Sequence, residues 1–216
     1  VDEGNVLLGI DASGLELRML SHYMNDSVFT DEILNGDVHT ANQKLAGLKT
    51  RDIAKTFIYA LMYGAGDARL GNVMNAGAKA GKKSRELFFE NKPAFKKLSD
   101  KVKAVARVRG YVKGLDGRVI WIRNEHASLN SLLQGAGAIV MKKALVLLDK
   151  HLKDAGFKYK FVANIHDEWQ MEVPKETADL IGNIGVRAIR EAGEHYKLRC
   201  PLDGEYKYGR NWSETH

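Results

Sequence analysis

The sequence predicts an α+β fold in which an antiparallel sheet accompanies a helix-rich segment. Three features indicate this: a short apolar strand at residues 6–10, helix-like apolar spacing from about residue 38 to 108, and two later regions whose alternating apolar residues are typical of hairpins. At 216 residues the chain is long enough for one large domain or two interlocked lobes. The longest apolar runs are far shorter than the ~20 residues that cross a bilayer, so no membrane span is expected.

The charge distribution favours an anionic partner without identifying it. The chain has 33 Lys and Arg against 27 Asp and Glu, a net charge of +6. Residues 79–113 are the most basic, with 12 Lys or Arg and three acidic residues. Such a stretch is either a solvated helix face or a phosphate-binding surface. Cys200 is the only cysteine, which excludes an intrachain disulfide and a cysteine-rich zinc site.

The first half of the chain reads as one strand followed by helices. After the strand at residues 6–10, Ser13 and Glu16 match the Ser-x-x-Glu capping box and predict a helix start. The helical spacing further on is broken at Pro93, because proline cannot continue a helix from the preceding turn. Residues 111–122 then alternate around Gly114 and a later Asp-Gly pair, which predicts a hairpin.

The second half reads as a long helix, a hairpin, a helix and a strand. The long helix ends at about residue 152, and its predicted inward stripe is Leu129, Leu132, Leu133, Ala136, Val140, Ala144 and Leu147. The hairpin alternates on both sides of His166, Asp167 and Glu168, which places these three polar residues in its turn. Pro174 is expected to open the next helix, and residues 200–206 to form a closing strand.

Acidic residues at the ends of two apolar strands form the first candidate site. Asp167 and Glu168 are neighbours at the predicted hairpin, and Asp11 ends the first strand. Neighbouring carboxylates repel, and a cation between them makes the arrangement favourable. Two Asp on adjacent strands would suit two Mg²⁺ ions of the kind used in phosphoryl transfer. The alternative is an acidic turn in solvent.

A basic and aromatic stripe on one helix forms the second candidate site. The helix is predicted to begin after the N-cap Thr50 and to stop at Gly64. Its stripe has a spacing of four residues and consists of Arg51, Lys55, Tyr59 and Tyr63. Cations bind phosphate and aromatic rings stack on bases, so the stripe would suit a nucleoside triphosphate. The alternative is two core tyrosines beside two surface cations.

Three further polar groups have both a functional and a structural interpretation. His126, Asn130 and Gln134 recur every four residues and would reach minor-groove acceptors, or simply form a polar solvent face. Glu16 would exclude a 2′-hydroxyl from a bound sugar, in addition to capping its helix. His39 is either a residue of a helix start or core, or a phosphate ligand.

Taken together, these segments closely resemble the polymerase domain of family A, the bacterial DNA polymerase I type, and look most like the replicative polymerases of short-tailed phages. Residues 11–18 match motif A of the family, residues 51–64 match motif B, and residues 166–168 match motif C. The similarity also extends through residues 36–40, 113–118, 132–134, Asn211, Trp212 and His216.

The resemblance implies a catalytic centre for DNA synthesis with two Mg²⁺ ions. Asp11 and Asp167 would bind both ions with help from the Ala12 carbonyl, and Glu168 would support them. The implied catalytic residues are Asp11, Asp167, Glu168 and Lys55. The implied dNTP-binding residues are Glu16, His39, Arg51, Lys55 and Tyr59. The implied DNA-binding residues are Tyr63, Gly64, His126, Asn130, Gln134 and His166.

The resemblance also implies an architecture and partners. A palm would comprise residues 1–21 and 109–216, with helical fingers at residues 22–108. Family members carry a thumb, and usually an exonuclease domain, upstream of motif A, so a missing segment or an N-terminal partner polypeptide is expected, along with primer-template DNA and dNTP. The expected location is the cytoplasm, that of an infected bacterium for a phage protein. The alternatives are an inert DNA-binding subunit, or a single-subunit RNA polymerase or reverse transcriptase.

Overall fold

The structure, a computed structural model, describes residues 1–215 and divides into two compact units. One unit comprises Val1–Met19 and the described residues from Ala136 onward; the other is Leu20–Gly135. The predicted α+β class is confirmed, since a four-stranded antiparallel sheet occurs together with many helices. The assignment of residues to palm and fingers stays a prediction, and His216 lies outside the described residues.

The sheet brings the two ends of the chain together in the first unit. The strands of the chain are β1 (Asn5–Ala12), β2 (Tyr111–Lys113), β3 (Val119–Trp121), β4 (Lys160–Ile165), β5 (Glu168–Pro174) and β6 (Gly204–Gly209). Four of them form an antiparallel sheet in the order β4-β5-β1-β6. The central pair, β1 and β5, is therefore made from segments that are more than 150 residues apart in sequence.

The two faces of this sheet differ in polarity. Directly opposed residues share a face, and Ile10 opposite Trp169 and Leu8 opposite Met171 are fully buried on one of them. Helix α9 (Ala178–His195) packs on β1 and β6. The other face carries Asp11 and the polar residues of β5, so this single alternation creates both the core and a polar surface.

Helices make up most of the second unit. They are α2 (Ser27–Leu34), α3 (Val38–Ala46), α4 (Arg51–Met62), α5 (Asp67–Val73), α6 (Ala78–Asn91) and α7 (Pro93–Arg109). The predicted break at Pro93 is confirmed, because α6 ends at Asn91 and proline occupies the first position of α7. The predicted hairpin at residues 111–122 is confirmed as the antiparallel pair β2 and β3.

The two boundaries between the units fall within α1 (Leu15–Met24) and α8 (Ser128–Asp154). The predicted stripe of α8 is buried except that Leu148, not Leu147, is the fully buried residue near its end. With the preceding 3-10 turn at Glu125–Ala127, this helix is long and apolar enough to cross a membrane, although half of its most apolar window is buried. A core helix passes the same test, so this finding is weak support for a membrane span.

Three boundaries predicted from sequence are wrong. Glu168 belongs to β5 and not to the turn, because two residues suffice to reverse the chain. Pro174 ends β5 and is followed by a 3-10 turn, so α9 begins only at Ala178. The closing strand begins at Gly204 rather than at residue 200, and a short helix α10 (Trp212–Thr215) follows it.

A buried ion pair joins α2 to the junction of α6 and α7. Lys92 is only 5% exposed; its Nζ lies 2.9 Å from Glu32 and 5.2 Å from the centre of the Phe29 ring. Removing Lys92 leaves the Glu32 carboxylate, which is 22% exposed, without the cation that compensates its charge. We therefore expect Lys92→Met to lower the free energy of unfolding by about 3 kcal/mol.

Urea denaturation measures this effect, and Lys96→Met is the matched control. Lys96 pairs with Asp100 one helical turn away at the surface, where both side chains are more than half exposed. Such pairs contribute only about 0.3–0.5 kcal/mol. Equal losses of unfolding free energy in the two variants would show that the Lys92–Glu32 pair contributes no more to stability than a surface pair.

Candidate functional site

Backbone pairing brings two acidic segments side by side where the central strands β1 and β5 meet at one end of the sheet. We call this end, with Asp11, Asp167 and Glu168, the acidic edge. Asp11, next to last in β1, is directly opposite Glu168, the first residue of β5. The Ala12 amide donates a hydrogen bond to the Asp167 carbonyl at 3.0 Å. The acidic residues that sequence analysis placed at two strand ends are therefore adjacent in the fold, with Asp11 and Asp167 half-buried and Glu168 buried.

A two-residue turn presents Asp167 at this edge. Ile165 and Glu168 are paired, so His166 and Asp167 alone connect β4 to β5. His166 has φ of 54°, a left-handed conformation that tight hairpins require at their first turn residue. His166 is exposed. Because the turn is so short, Asp167 stays next to the strand pair instead of extending into a flexible loop.

The polar sheet face forms a pocket of about 160 Å³ that includes Asp11, Glu168 and Glu205. Among residues 1–215, no three His, Cys, Asp or Glu side chains form a group that would hold a metal ion by themselves. This donor set nevertheless fits Mg²⁺, which is usually held by one or two carboxylates and completes its shell with water and substrate phosphates. Asp11 supplies a carboxylate of this kind in the pocket, and Asp167 and the Ala12 carbonyl lie at the same strand ends without lining it.

In the second unit, α4 carries its basic and aromatic stripe away from the core. The helix begins as predicted, with the Thr50 hydroxyl accepting a hydrogen bond from the Ile53 amide at 3.3 Å. Its buried face is formed by Ala54, Phe57, Ile58, Ala60, Leu61 and Met62. Arg51, Lys55 and Tyr63 are exposed and Tyr59 is half-buried, so the two tyrosines are not core residues. The Tyr59 and Tyr63 rings meet edge-to-face at 6.5 Å.

His39 lies beside the basic half of this stripe. Its ring is 6.4 Å from that of Tyr59, and its Nδ1 is buried without a hydrogen-bond partner. Burial and the nearby charges of Arg51 and Lys55 lower the pKa of His39 below its ordinary value. The imidazole is therefore neutral at pH 7, in an environment that disfavours a further cation and would favour an anion.

Asp37 organises the same corner, and sequence analysis did not identify it. Its carboxylate caps α3 by accepting hydrogen bonds from the His39 and Thr40 amides, and it pairs with Arg51 at 2.7 Å. The hydrogen bond from Arg51 holds the pKa of Asp37 well below its usual range. Its spacing of 14 residues from Arg51 gave no helical periodicity that would have shown the contact.

Gly64 allows the end of α4 to approach the segment that begins at His126 and carries Asn130 and Gln134. Its φ is 78°, and a Cβ at this position would overlap the backbone carbonyl of His126. His126 and Gln134 are exposed and Asn130 is half-buried, with its side-chain oxygen buried and unpartnered. The three residues thus lie on a polar face, while Leu129, Leu132 and Leu133 are buried.

The predicted site residues therefore fall into two sets. The first unit contains Asp11, Ala12, Glu16, His166, Asp167 and Glu168, of which Glu16 is half-buried in the first turn of α1. The second unit contains His39, Arg51, Lys55, Tyr59, Tyr63, Gly64, His126, Asn130 and Gln134. Sequence analysis also missed Gln170 and Thr215, which contact the acidic edge.

The first unit thus has an acidic sheet edge, and the second unit has a helix with a basic and aromatic face. The sequence profile of DNA polymerase family A matches residues 1–214. The chain belongs to this family, and the resemblance seen in its motifs is confirmed.

Relatives from phages and bacteria support this assignment. The chain is 42% identical to the DNA-directed DNA polymerase of Enterobacteria phage T3 and 40% identical to that of Escherichia phage T7, over 98% of its own length in both cases. It is 31% identical to DNA polymerase I of Aquifex aeolicus over 99% of its length. It spans 33% of the length of each phage relative and 40% of the Aquifex protein.

A solved structure has the same fold. The POL domain of Pol1 from M. smegmatis, in complex with DNA primer-template and dNTP, matches 99% of the chain with a TM-score of 0.89 and 25% sequence identity. The chain covers 41% of that structure. The polymerase fold of this chain is therefore established over the residues that align.

Proposed function

We propose that this chain is the catalytic portion of a template-directed DNA polymerase, in which a primer 3′-hydroxyl attacks the α-phosphate of a dNTP and pyrophosphate leaves. The observation that carries the proposal is the pairing of motif A with motif C, in which Asp11 is opposite Glu168 and Ala12 is bonded to Asp167. In a family A chain, this is the edge where acidic ligands are expected.

Asp11, Asp167 and the Ala12 carbonyl would hold two Mg²⁺ ions, with Glu168 in support. When bound, Mg²⁺ lowers the pKa of an attacking hydroxyl and neutralises the charge that develops during phosphoryl transfer. The chain's own residues would do the positioning. Arg51, Lys55 and His39 would bind the triphosphate through charge-assisted and imidazole hydrogen bonds.

The remaining residues would select the sugar and guide the DNA. Tyr59 would pack on the incoming nucleotide, and Glu16 would exclude a 2′-hydroxyl by its bulk. Along the DNA we assign six residues: Tyr63 and Gly64 on the template side, His126, Asn130 and Gln134 in the minor groove, and His166 near the primer end. Minor-groove acceptors occur on every base pair, so such contacts would test pair shape without reading sequence.

The proposed partners include a polypeptide or segment that supplies the thumb. The chain spans a third of its phage relatives, and thumb contacts would add phosphate neutralisation, which dominates DNA affinity. We propose weak or absent activity for the chain alone and rescue by such a polypeptide, in the cytoplasm of an infected bacterium.

Primer extension with Mg²⁺ and dNTPs, with and without a thumb-containing polypeptide, tests this proposal. Extension only with the added polypeptide is expected. Processive synthesis by the chain alone would refute the need for a partner. DNA binding by the complemented chain without any incorporation would favour the inert DNA-binding subunit, and equal use of rNTPs would favour an RNA polymerase.

The position of the triphosphate can be tested through His39. An anion near an imidazole favours its charged form, so dATP binding should raise the pKa of His39, which is low in the free protein. His39 also makes the free energy of unfolding depend on pH, because its pKa is lower in the folded state than the unfolded value of about 6.5. The stability present above pH 6.5 is lost as the pH falls through the folded-state pKa, since protonation then favours the unfolded chain.

NMR titration of the ¹⁵N-labelled imidazole, with and without dATP, measures this shift. His195, at the end of α9, is the internal control, and its signals should not change when dATP is added. An unchanged His39 midpoint at saturating dATP would place the phosphates elsewhere.

A further inference from the structure

Three buried polar side chains are linked by two consecutive hydrogen bonds that end at the acidic edge of the sheet. The Gln170 side-chain amide donates to Glu168 Oε1, and the Thr215 hydroxyl donates to Gln170 Oε1 at 3.0 Å. Glu168, Gln170 and Thr215 are 5%, 2% and 5% exposed. A side chain from α10, close to the end of the chain, is thus connected to a carboxylate that faces Asp11 across the strands.

Gly9 provides the space that this chain of hydrogen bonds occupies. Gly9 is opposite Gln170 in the β1–β5 pairing, two residues before Asp11 on the same face. A Cβ on residue 9 would lie 2.6 Å from Gln170 Nε2 and 2.7 Å from the Thr215 carbonyl oxygen. Any other residue here would displace Gln170 or α10, so the strand sequence itself is adapted to this contact.

The chemistry of the three groups fixes the direction of the hydrogen bonds. The Gln170 side chain turns its NH₂ group towards Glu168, whose carboxylate oxygen accepts the hydrogen bond. Its carbonyl oxygen then points the other way and needs a donor, which the Thr215 hydroxyl supplies. Without that donor, the amide would leave a buried oxygen unpaired, which favours other orientations of the side chain.

We propose that Gln170 and Thr215 are positioning residues that hold the Glu168 carboxylate in the orientation needed beside the cation site of Asp11. The inference rests on the proposed function, because it assumes that divalent ions bind at this edge. Glu168 and Asp11 line the same pocket of about 160 Å³. A rotation of the Glu168 carboxylate would therefore change the donors that an ion in this pocket meets.

The affinity of the chain for Mn²⁺ tests the proposal without relying on activity. Titration of free Mn²⁺ by electron paramagnetic resonance gives the affinity of the wild type and of Thr215→Val, which keeps the shape of the side chain and removes its hydroxyl. We expect Thr215→Val to weaken binding about fivefold or more, an effect of roughly one lost hydrogen bond on the carboxylate's orientation. Thr215→Ser, which keeps the hydroxyl, should bind within twofold of wild type.

Thr177→Val is the matched structural control. The Thr177 hydroxyl donates to the Pro174 carbonyl at 3.1 Å, and the Trp212 carbonyl lies at the same distance from the Thr215 hydroxyl, where it shares that hydroxyl's single proton with Gln170. Thr177→Val removes one hydroxyl-to-carbonyl contact away from the pocket and should leave Mn²⁺ affinity unchanged. Equal weakening of Mn²⁺ binding by the two valine variants would overturn the proposal, since it would indicate a general effect of stability.

Gln170→Met tests the same positioning role from the amide side. Together with the wild type, it separates that role from the proposed metal site itself. It should weaken Mn²⁺ binding as Thr215→Val does, and adding Thr215→Val to it should cause no further loss, because both act through one amide. Wild-type affinity in both single variants would overturn the positioning role alone. No Mn²⁺ binding by the wild type would instead remove the proposed metal site, and the inference with it.

Discussion

Replacing Asp11 or Asp167 with Asn is expected to reduce Mg²⁺-dependent dNTP incorporation by at least ~10³-fold, equivalent to about 4 kcal/mol of lost transition-state stabilisation. The change keeps the size of each side chain and removes the negative charge that would hold divalent ions. The two residues lie at neighbouring strand ends, where the Ala12 amide donates a hydrogen bond to the Asp167 carbonyl. Both substitutions should therefore affect the same site.

Primer extension with the complemented chain measures the effect, and Asp154→Asn is the control. Asp154 is an exposed carboxylate at the end of α8, so its removal changes the net charge equally without altering the sheet edge. It should retain activity. Substantial incorporation by Asp11→Asn or Asp167→Asn would contradict the two-metal assignment. It would mean that these carboxylates are not needed for catalysis.

Local patterns in the sequence predicted those parts of the fold that depend on near neighbours. The N-cap at Thr50, the break at Pro93 and the hairpin at residues 111–122 each follow from a few adjacent residues, and all are confirmed. The outward direction of the α4 stripe was also accessible, because spacing of four residues fixes a helix face whatever surrounds it.

Contacts between distant segments were the main feature that local patterns could not supply. Periodicity identified β1 and β5 as strands, but it carries no signal that they pair or that β6 lies on the other side of β1. The resemblance to family A supplied the role of Asp11 and Asp167 instead. Gln170 was hidden for a related reason: it lies between Trp169 and Met171 in an apolar strand, and its partner Thr215 is 45 residues away.

The boundary error at the β4–β5 turn has a physical cause. Turn chemistry is easiest to read where glycine or proline marks the reversal, and the β4–β5 turn uses His166 in a left-handed conformation instead. The turn was therefore expected to be one residue longer, which placed Glu168 outside the strand. Its inclusion in β5 matters, since strand pairing is what holds Glu168 opposite Asp11.

Lys55→Met is expected to reduce kcat/KM for dNTP about 10²-fold or more, with kcat falling as well as affinity. Negative charge builds up on the leaving pyrophosphate during transfer, so a cation that contacts it stabilises the transition state more than the bound substrate. Lys55 is exposed on α4, and its charge already lowers the pKa of His39, which places it within electrostatic reach of the proposed phosphate site.

Arg51→Met should reduce kcat less than Lys55→Met does, and the comparison shows which of the two cations contributes more to transition-state stabilisation. Arg51 is held at 2.7 Å by Asp37, so part of its charge is already balanced within the protein. Steady-state kinetics over a range of dNTP concentrations separates kcat from KM, and Lys44→Met, an exposed lysine on α3, is the control. If Lys44→Met and Lys55→Met lower kcat equally, the effect is one of net charge. If only KM rises in Lys55→Met, the lysine binds the triphosphate without assisting its transfer.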